Sequence, residues 1–219
     1  MRNDLKAVLF DLDGTLLNRN ETFRGFLIAQ LTRLGVPLLA ASEIDRIMTI
    51  DDNARCSRAD FYGRLAADLA LPAGTADRLV DEFMTSFPEA CVPMANLFPT
   101  LQTLGDAGLR LGLITNGNES IQGRKIDRLG IREQFDAIAI SESIGVHKPD
   151  PRIFHHVLQA LDVPPAAAAF VGDHPEMDVA GARRSGLLAI WMRDRAWPEP
   201  DEVDYIIDDL SDLPSLVLG

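Results

Sequence analysis

The stretch Ala7-Val8-Leu9-Phe10-Asp11-Leu12-Asp13-Gly14-Thr15-Leu16 decides the fold. Four apolar residues in a row, without polar alternation, are the pattern of a strand buried on both faces, as in a parallel sheet covered by helices. The run stops at Asp11, and Gly14 lets the chain turn tightly just after it. A parallel strand needs partners reached by long crossovers, so the rest of the chain must supply further strands joined by helices.

It does so after an interruption. From Glu21 to about Pro88 the apolar residues recur at helical spacing, as in Phe23, Phe26, Leu27 and Leu31, then Phe61, Leu65 and Leu69, then Leu79, Phe83 and Phe87. This predicts a bundle of about four helices with no strand among them. Beyond Phe98-Pro99 helices and strands alternate: helix Thr100–Ala107, strand Arg110–Ile114, helix Ser120–Leu129, strand Ala137–Ile140, helix Pro151–Leu161 and strand Ala168–Val171. Helix Val179–Ser185 and strands Leu188–Met192 and Tyr205–Ile207 complete the series. Alternation of this kind predicts right-handed crossovers and an α/β fold, a Rossmann-like parallel sheet with helices on both faces. The helical stretch is then an insertion after the first strand, with residues 1–17 and 93–219 as the core and 18–92 as the inserted all-helical domain.

Bulk properties narrow the class. The 219 residues suffice for one large domain carrying a smaller insertion. A net charge of −12, without any run of Lys or Arg, argues against a nucleic-acid polymer as partner. No stretch approaches the ~18 apolar residues of a membrane span, and Met1–Lys6 is polar, so the expected location is the cytoplasm. Cys56 and Cys91 have no metal-ligand spacing and are expected to be reduced thiols. Lys occurs only at positions 6, 125 and 148, which makes the place of each one notable.

Ligands of an open parallel sheet bind beyond the carboxyl ends of its strands, so the residues just after each apolar run are the candidates for chemistry. Strand one is followed by Asp11 and Asp13, the second by Thr115-Asn116-Gly117-Asn118, and the fourth by Gly172-Asp173. A loop after the third carries His147-Lys148-Pro149-Asp150-Pro151. Each alone is an ordinary turn or helix cap. Together they set carboxylates, a hydroxyl and an ammonium along one edge. A carboxylate that attacks phosphorus forms an acyl-phosphate and splits hydrolysis into two easier steps, while a second carboxyl protonates the leaving oxygen and later deprotonates water. Carboxylates approach a phosphate only with a cation, and Asp11 and Asp173 offer the hard oxygen ligands that suit Mg²⁺. Thr115, with backbone N–H groups at the next helix start, suits a phosphate oxygen, and Lys148 offsets the crowded negative charge.

These residues resemble the motifs of the haloacid dehalogenase-like superfamily, most of whose members are phosphatases. Phe10-Asp11-Leu12-Asp13-Gly14-Thr15-Leu16 is similar to the first motif, Ile114-Thr115-Asn116 to the second and Lys148-Pro149 to the third. Val171-Gly172-Asp173-His174-Pro175-Glu176-Met177-Asp178 is similar to the fourth in its longer-spaced form. The resemblance implies a Mg²⁺-dependent phosphatase acting on a small phosphorylated metabolite through an aspartyl-phosphate on Asp11. It implies Asp13 as general acid and base, and Gly14, Thr115, Asn116 and Lys148 as phosphate-binding residues. Asp11, the Asp13 backbone carbonyl, Asp173 and, in support, Asp178 form the implied metal site. The insertion has the position of the family's C1 helical cap, which closes over the active site and excludes water.

Other readings are weighed on the same residues. True dehalogenases of the superfamily need neither a metal nor a second carboxyl two positions on, so Asp13 and Asp173 argue against one. Phosphosugar mutases share the motifs and a similar cap, which leaves a mutase as the alternative. Signalling receiver domains carry the phosphorylated Asp after a later strand. A non-catalytic phosphate-binding protein would not need all four reactive positions filled. His147 and His174 read as solvated loop residues, and Met177 and Trp191 as packing. Arg24, Arg46, Arg55, Arg58 and Arg64 of the insertion read mainly as a solvated surface, with a contact to an anionic part of the substrate as the lesser expectation.

Overall fold

The sheet has six strands, all parallel, in the order β3-β2-β1-β4-β5-β6. In this computed structural model, which describes residues 5–37, 40–51 and 56–219, they are β1 (Ala7–Phe10), β2 (Arg110–Thr115), β3 (Ala137–Ile140), β4 (Ala168–Gly172), β5 (Leu188–Met192) and β6 (Tyr205–Ile207). Every residue of β1 is fully buried, as its unbroken apolar run requires. Strand β1 lies between β2 and β4, with Leu9 opposite both Gly112 and Phe170. The order reverses at β1, and such a reversal opens a crevice at the carboxyl ends of the strands beside it.

Right-handed crossovers place the helices. Going outward from β1, α5 (Leu97–Asp106) precedes β2 and α6 (Glu119–Leu129) precedes β3 on one face. The chain then crosses back through α7 (Ser141–Ile144) and α8 (Pro151–Leu161) to β4, and α9 (Gly181–Arg184) joins β4 to β5 on the other. Helix α8 buries Ile153, Phe154, Val157, Leu158 and Leu161, one stripe at helical spacing, in a core shared with Leu9, Ile114, Phe170 and Trp191. A fully buried side chain of this size contributes roughly 1.5–3 kcal/mol. Asp150 caps α8 by accepting from Arg152 N, and Pro151 stands where a missing N–H costs nothing. The chain ends in α10 (Leu213–Leu218).

The chain divides into two compact units, Met1–Arg19 with Val92–Gly219, and Asn20–Cys91. The second holds α1 (Arg19–Arg33), α2 (Ala41–Asp51), α3 (Arg58–Asp68) and α4 (Thr75–Ser86), then a 3₁₀ turn at Phe87–Ala90. Its interior is aromatic: Phe23 meets Phe61 edge-on at 5.1 Å, and Phe83 stacks on Phe87 at 4.4 Å.

Some boundaries differ from the sequence reading. Helix α5 starts at Leu97 rather than Thr100, because Pro99 in a first turn needs no intrahelical partner. The helix expected at Val179–Ser185 begins at Pro175, as a π-helical turn through Ala180 that runs into α9. Neither α7 nor α10 was expected. No described helix is long and apolar enough to cross a membrane.

Candidate active site

Asp11 stands one residue beyond β1, and its backbone N–H donates to the Val171 carbonyl at 2.9 Å, a further rung of the ladder to β4. The turn after it folds on itself, with Gly14 N–H donating to the Leu17 carbonyl and Leu16 and Leu17 N–H to the Leu12 carbonyl. Gly14 has φ of 92°, and a Cβ there would lie 2.5 Å from Asp173 Oδ2. Only glycine permits both the left-handed turn and the approach of that carboxylate.

On the β4 side of Asp11 the charge is negative. Asp173 follows β4 directly, and Asp178 comes from the π-helical turn with its carboxyl against Gly172, where a Cβ would lie 2.4 Å from Asp178 Cβ. Asp11, Asp173 and Asp178 are all buried, and each offers a carboxylate oxygen within 4.8 Å of the others. Lys148 Nζ donates to Asp11 Oδ1 at 2.5 Å and to Asp178 Oδ1 at 2.6 Å. One ammonium does not balance three carboxylates. Burial pushes the Asp11 carboxyl up to about 7, against the pull of Lys148 and with Asp178 adding to the rise. Burial, then Asp11 and Asp178, push Asp173 well above the ordinary carboxylate range. Burial opposes the Lys148 charge, yet Asp11 and Asp178 hold it above its usual range. Surplus negative charge on hard oxygen donors, shielded from water, suits a divalent cation such as Mg²⁺.

On the β2 side the balance is reversed. Asp13 accepts from Lys125 Nζ at 2.8 and 2.9 Å and from Gln122 Nε2 at 2.8 Å. Burial alone would raise its carboxyl, but Lys125 and Gln122 bring it below the ordinary range. Its side chain is 27% exposed and stands outside the acidic cluster of Asp11, Asp173 and Asp178. Gln122 Nε2 also donates to Thr115 Oγ1 at 2.6 Å.

Asn116 spends its side chain on the Lys148 main chain: Oδ1 accepts from Lys148 N at 2.8 Å and Nδ2 donates to Lys148 O at 3.0 Å. Ser141, first residue of α7, accepts from Gly117 N at 2.9 Å and so ties the β2 and β3 loops together.

Several expectations change. His174 is not a solvated loop residue: its Nδ1 accepts from Glu176 N and Met177 N and caps the π-helical turn, and its ring lies against Trp197, tilted by 38°, at 4.2 Å. His147 is exposed, as expected. Trp191 packs in the core and also donates from Nε1 to the Asp173 carbonyl at 2.6 Å. Arg58 is not solvated; it pairs with buried Asp51 and lies over the rings of Phe23, Phe61 and Phe83. Arg24 pairs with Asp45 and Arg46 with Asp68 at exposed sites, Arg64 is exposed, and Arg55 lies outside the described residues. Gln122, Lys125 and Trp191 were not named as site residues; the scarcity of lysine was the signal for one of them.

Comparisons with known proteins show the family. A family model described as haloacid dehalogenase-like hydrolase matches residues 8–192. The chain is 32% identical to a glyceraldehyde 3-phosphate phosphatase of Methanopyrus kandleri, over 98% of this chain and 96% of that protein. It is similar in structure to a HAD phosphatase from Thermococcus onnurineus, with a TM-score of 0.67 and 27% identity over 98% of this chain and 99% of that one. It is also similar to a 2-haloacid dehalogenase from Pseudomonas syringae, with a TM-score of 0.64 and 29% identity over 97% and 98%. The chain therefore belongs to the haloacid dehalogenase-like hydrolase family.

Proposed function

We propose that this protein is a magnesium-dependent phosphomonoester hydrolase that acts on a small phosphorylated metabolite through an aspartyl-phosphate on Asp11. The observation that carries this reading is the placement of Asp11 between a buried acidic cluster and a second, cation-paired carboxylate. Its similarity to a phosphatase of a three-carbon phosphate ester supports the substrate class. The helical unit Asn20–Cys91 takes the part of the cap.

Asp11, Asp173 and Asp178 would hold the magnesium ion, with the Asp13 carbonyl as a further ligand. When bound, the ion supplies positive charge that lets an anionic ester approach the carboxylates. The Asp11 carboxylate attacks phosphorus, the bond to the ester oxygen breaks, and that oxygen takes a proton from Asp13. Lys125 and Gln122 hold Asp13 ionised in the free protein, and it therefore takes up that proton as the anionic ester binds. Water then attacks phosphorus, gives its proton to Asp13 and frees Asp11. Thr115 accepts a hydrogen bond from Gln122, which leaves its own O–H to donate to a phosphate oxygen. Lys148 offsets the charge that develops in transfer.

A dehalogenase would have no use for the paired Asp13 or for the acidic cluster, and both features favour phosphoryl transfer. Rapid quenching during turnover of a phosphomonoester, with hydroxylamine as trap, tests the mechanism. The expected result is a hydroxamate on Asp11 by mass spectrometry, and a hydroxamate on any other residue overturns the assignment.

A further inference from the structure

The reaction uses Asp13 and Thr115, yet two buried polar residues of α6 hold both of them. Gln122 and Lys125 are 3% and 7% exposed. They are three positions apart on α6 and so share a face. The start of the helix is fixed by Asn118, whose Oδ1 accepts from Ile121 N while its Nδ2 donates to Glu142. Gly117 leaves room for the Gln122 side chain, since a Cβ there would lie 3.0 Å from Gln122 Cγ.

We propose that Gln122 and Lys125 are positioning residues that lock the acid–base group and the phosphate-binding hydroxyl into one rigid unit. The Gln122 amide nitrogen has two hydrogens, and both are used: one reaches Asp13 Oδ2 at 2.8 Å and the other Thr115 Oγ1 at 2.6 Å. Lys125 bridges both oxygens of Asp13 at 2.8 and 2.9 Å. A carboxylate offers about four lone-pair directions, and these donors take three of them. Among the described residues this leaves one direction for the oxygen that leaves or the water that enters. The pair thus fixes from which side Asp13 meets the reacting oxygen, and the separation of that point from Thr115. This rests on the proposed role of Asp13 as the acid that protonates the leaving oxygen.

The test is the first-turnover rate of the full-length protein with Mg²⁺, by rapid mixing, on two esters. 4-Nitrophenyl phosphate has a leaving group that departs without a proton; an alkyl phosphate does not. Lys125→Met and Gln122→Met are expected to slow the alkyl ester by about 10²-fold, a fraction of the effect of general acid catalysis, and the aryl ester by less than about 10-fold. KM should change little for either ester. In the Asp13→Asn background Lys125→Met should add no further loss, because the group it positions is gone, and Gln122→Met should keep only the smaller part that acts through Thr115 on both esters alike. Equal loss on both esters, a change confined to KM, or full additivity in the double variants overturns the proposal. If Asp13→Asn itself treats both esters alike, the assignment of the acid fails; if Asp13→Asn discriminates and the α6 variants do not, only the clamp fails. Either α6 variant suffices should the other not fold, as circular dichroism will tell.

Discussion

Asp11 and Asp13 leave the same strand end, with only Leu12 between them, yet they belong to opposite environments. On the β4 flank three buried carboxylates share one lysine, and the Asp11 carboxyl is pushed up to about 7 by burial and its neighbours. On the β2 flank a lysine and an amide serve one carboxylate, and Asp13 is pulled below its ordinary range despite burial. Two identical side chains acquire opposite shifts from what surrounds them. The surplus negative charge of one flank calls for a cation from solution, whereas the other brings its own.

The contrast breaks most sharply if Asp11 can be dispensed with. Asp11→Asn should reduce turnover at least about 10⁴-fold, measured as phosphate release, because an amide does not attack phosphorus. Its thermal midpoint without metal should not fall near pH 8, since a charge disfavoured by burial has been removed. Asp13→Asn should retain substrate binding and slow the first turnover by about 10²–10⁴-fold. If Asp13→Asn equalled Asp11→Asn in effect on every ester, the division of labour between the flanks would be lost.

Metal addition sharpens the comparison further. The Asp11 carboxyl rises in the folded state from 3.8 to about 7, so the folded protein holds its proton where the unfolded chain has released it. In the absence of metal this contribution to stability is complete below the ordinary carboxylate range and is lost as the pH rises towards about 7. Saturating Mg²⁺, at about 100 times Kd, should stabilise the protein by about 2.7 kcal/mol near pH 8. Near pH 5 the shift in thermal midpoint should be much smaller, because protons compete for the same oxygens. An equal shift at both pH values would place the ion away from the acidic cluster. The smallest effect concerns Trp191→Phe, which keeps a ring in the core and removes the N–H donated to the Asp173 carbonyl. It should weaken Mg²⁺ binding by calorimetry about 10-fold. Catalysis at saturating metal should remain.

The β4 flank was the more legible in the sequence, for a physical reason. Asp11 and Asp173 stand at strand ends, where an unbroken apolar run stops abruptly and marks the next polar residue, and Lys148, in the loop beyond β3 and α7, stood out as one of only three lysines. Asp178 sits inside a π-helical turn whose winding leaves little trace in composition, and only its spacing from Asp173 pointed to it. Gln122 and Lys125 look like ordinary polar residues of an amphipathic helix, since a helix conceals which of its polar positions face inward. The start of α5 was misplaced because Pro99 signals a boundary, whereas in a first turn it does not break the helix. Arg58 was read as surface because charge usually lies there, but three phenylalanine rings and Asp51 give it an interior partner set.

The tie between Asn116 and the main chain of Lys148 imitates a neighbouring strand: one acceptor and one donor, offered in the order a backbone would offer them. The location of residue 148 is thereby written into its peptide groups rather than into its side chain. Chemistry and address are separable at that position, so an engineer can exchange the ammonium for another functional group and expect it to be delivered to the same spot.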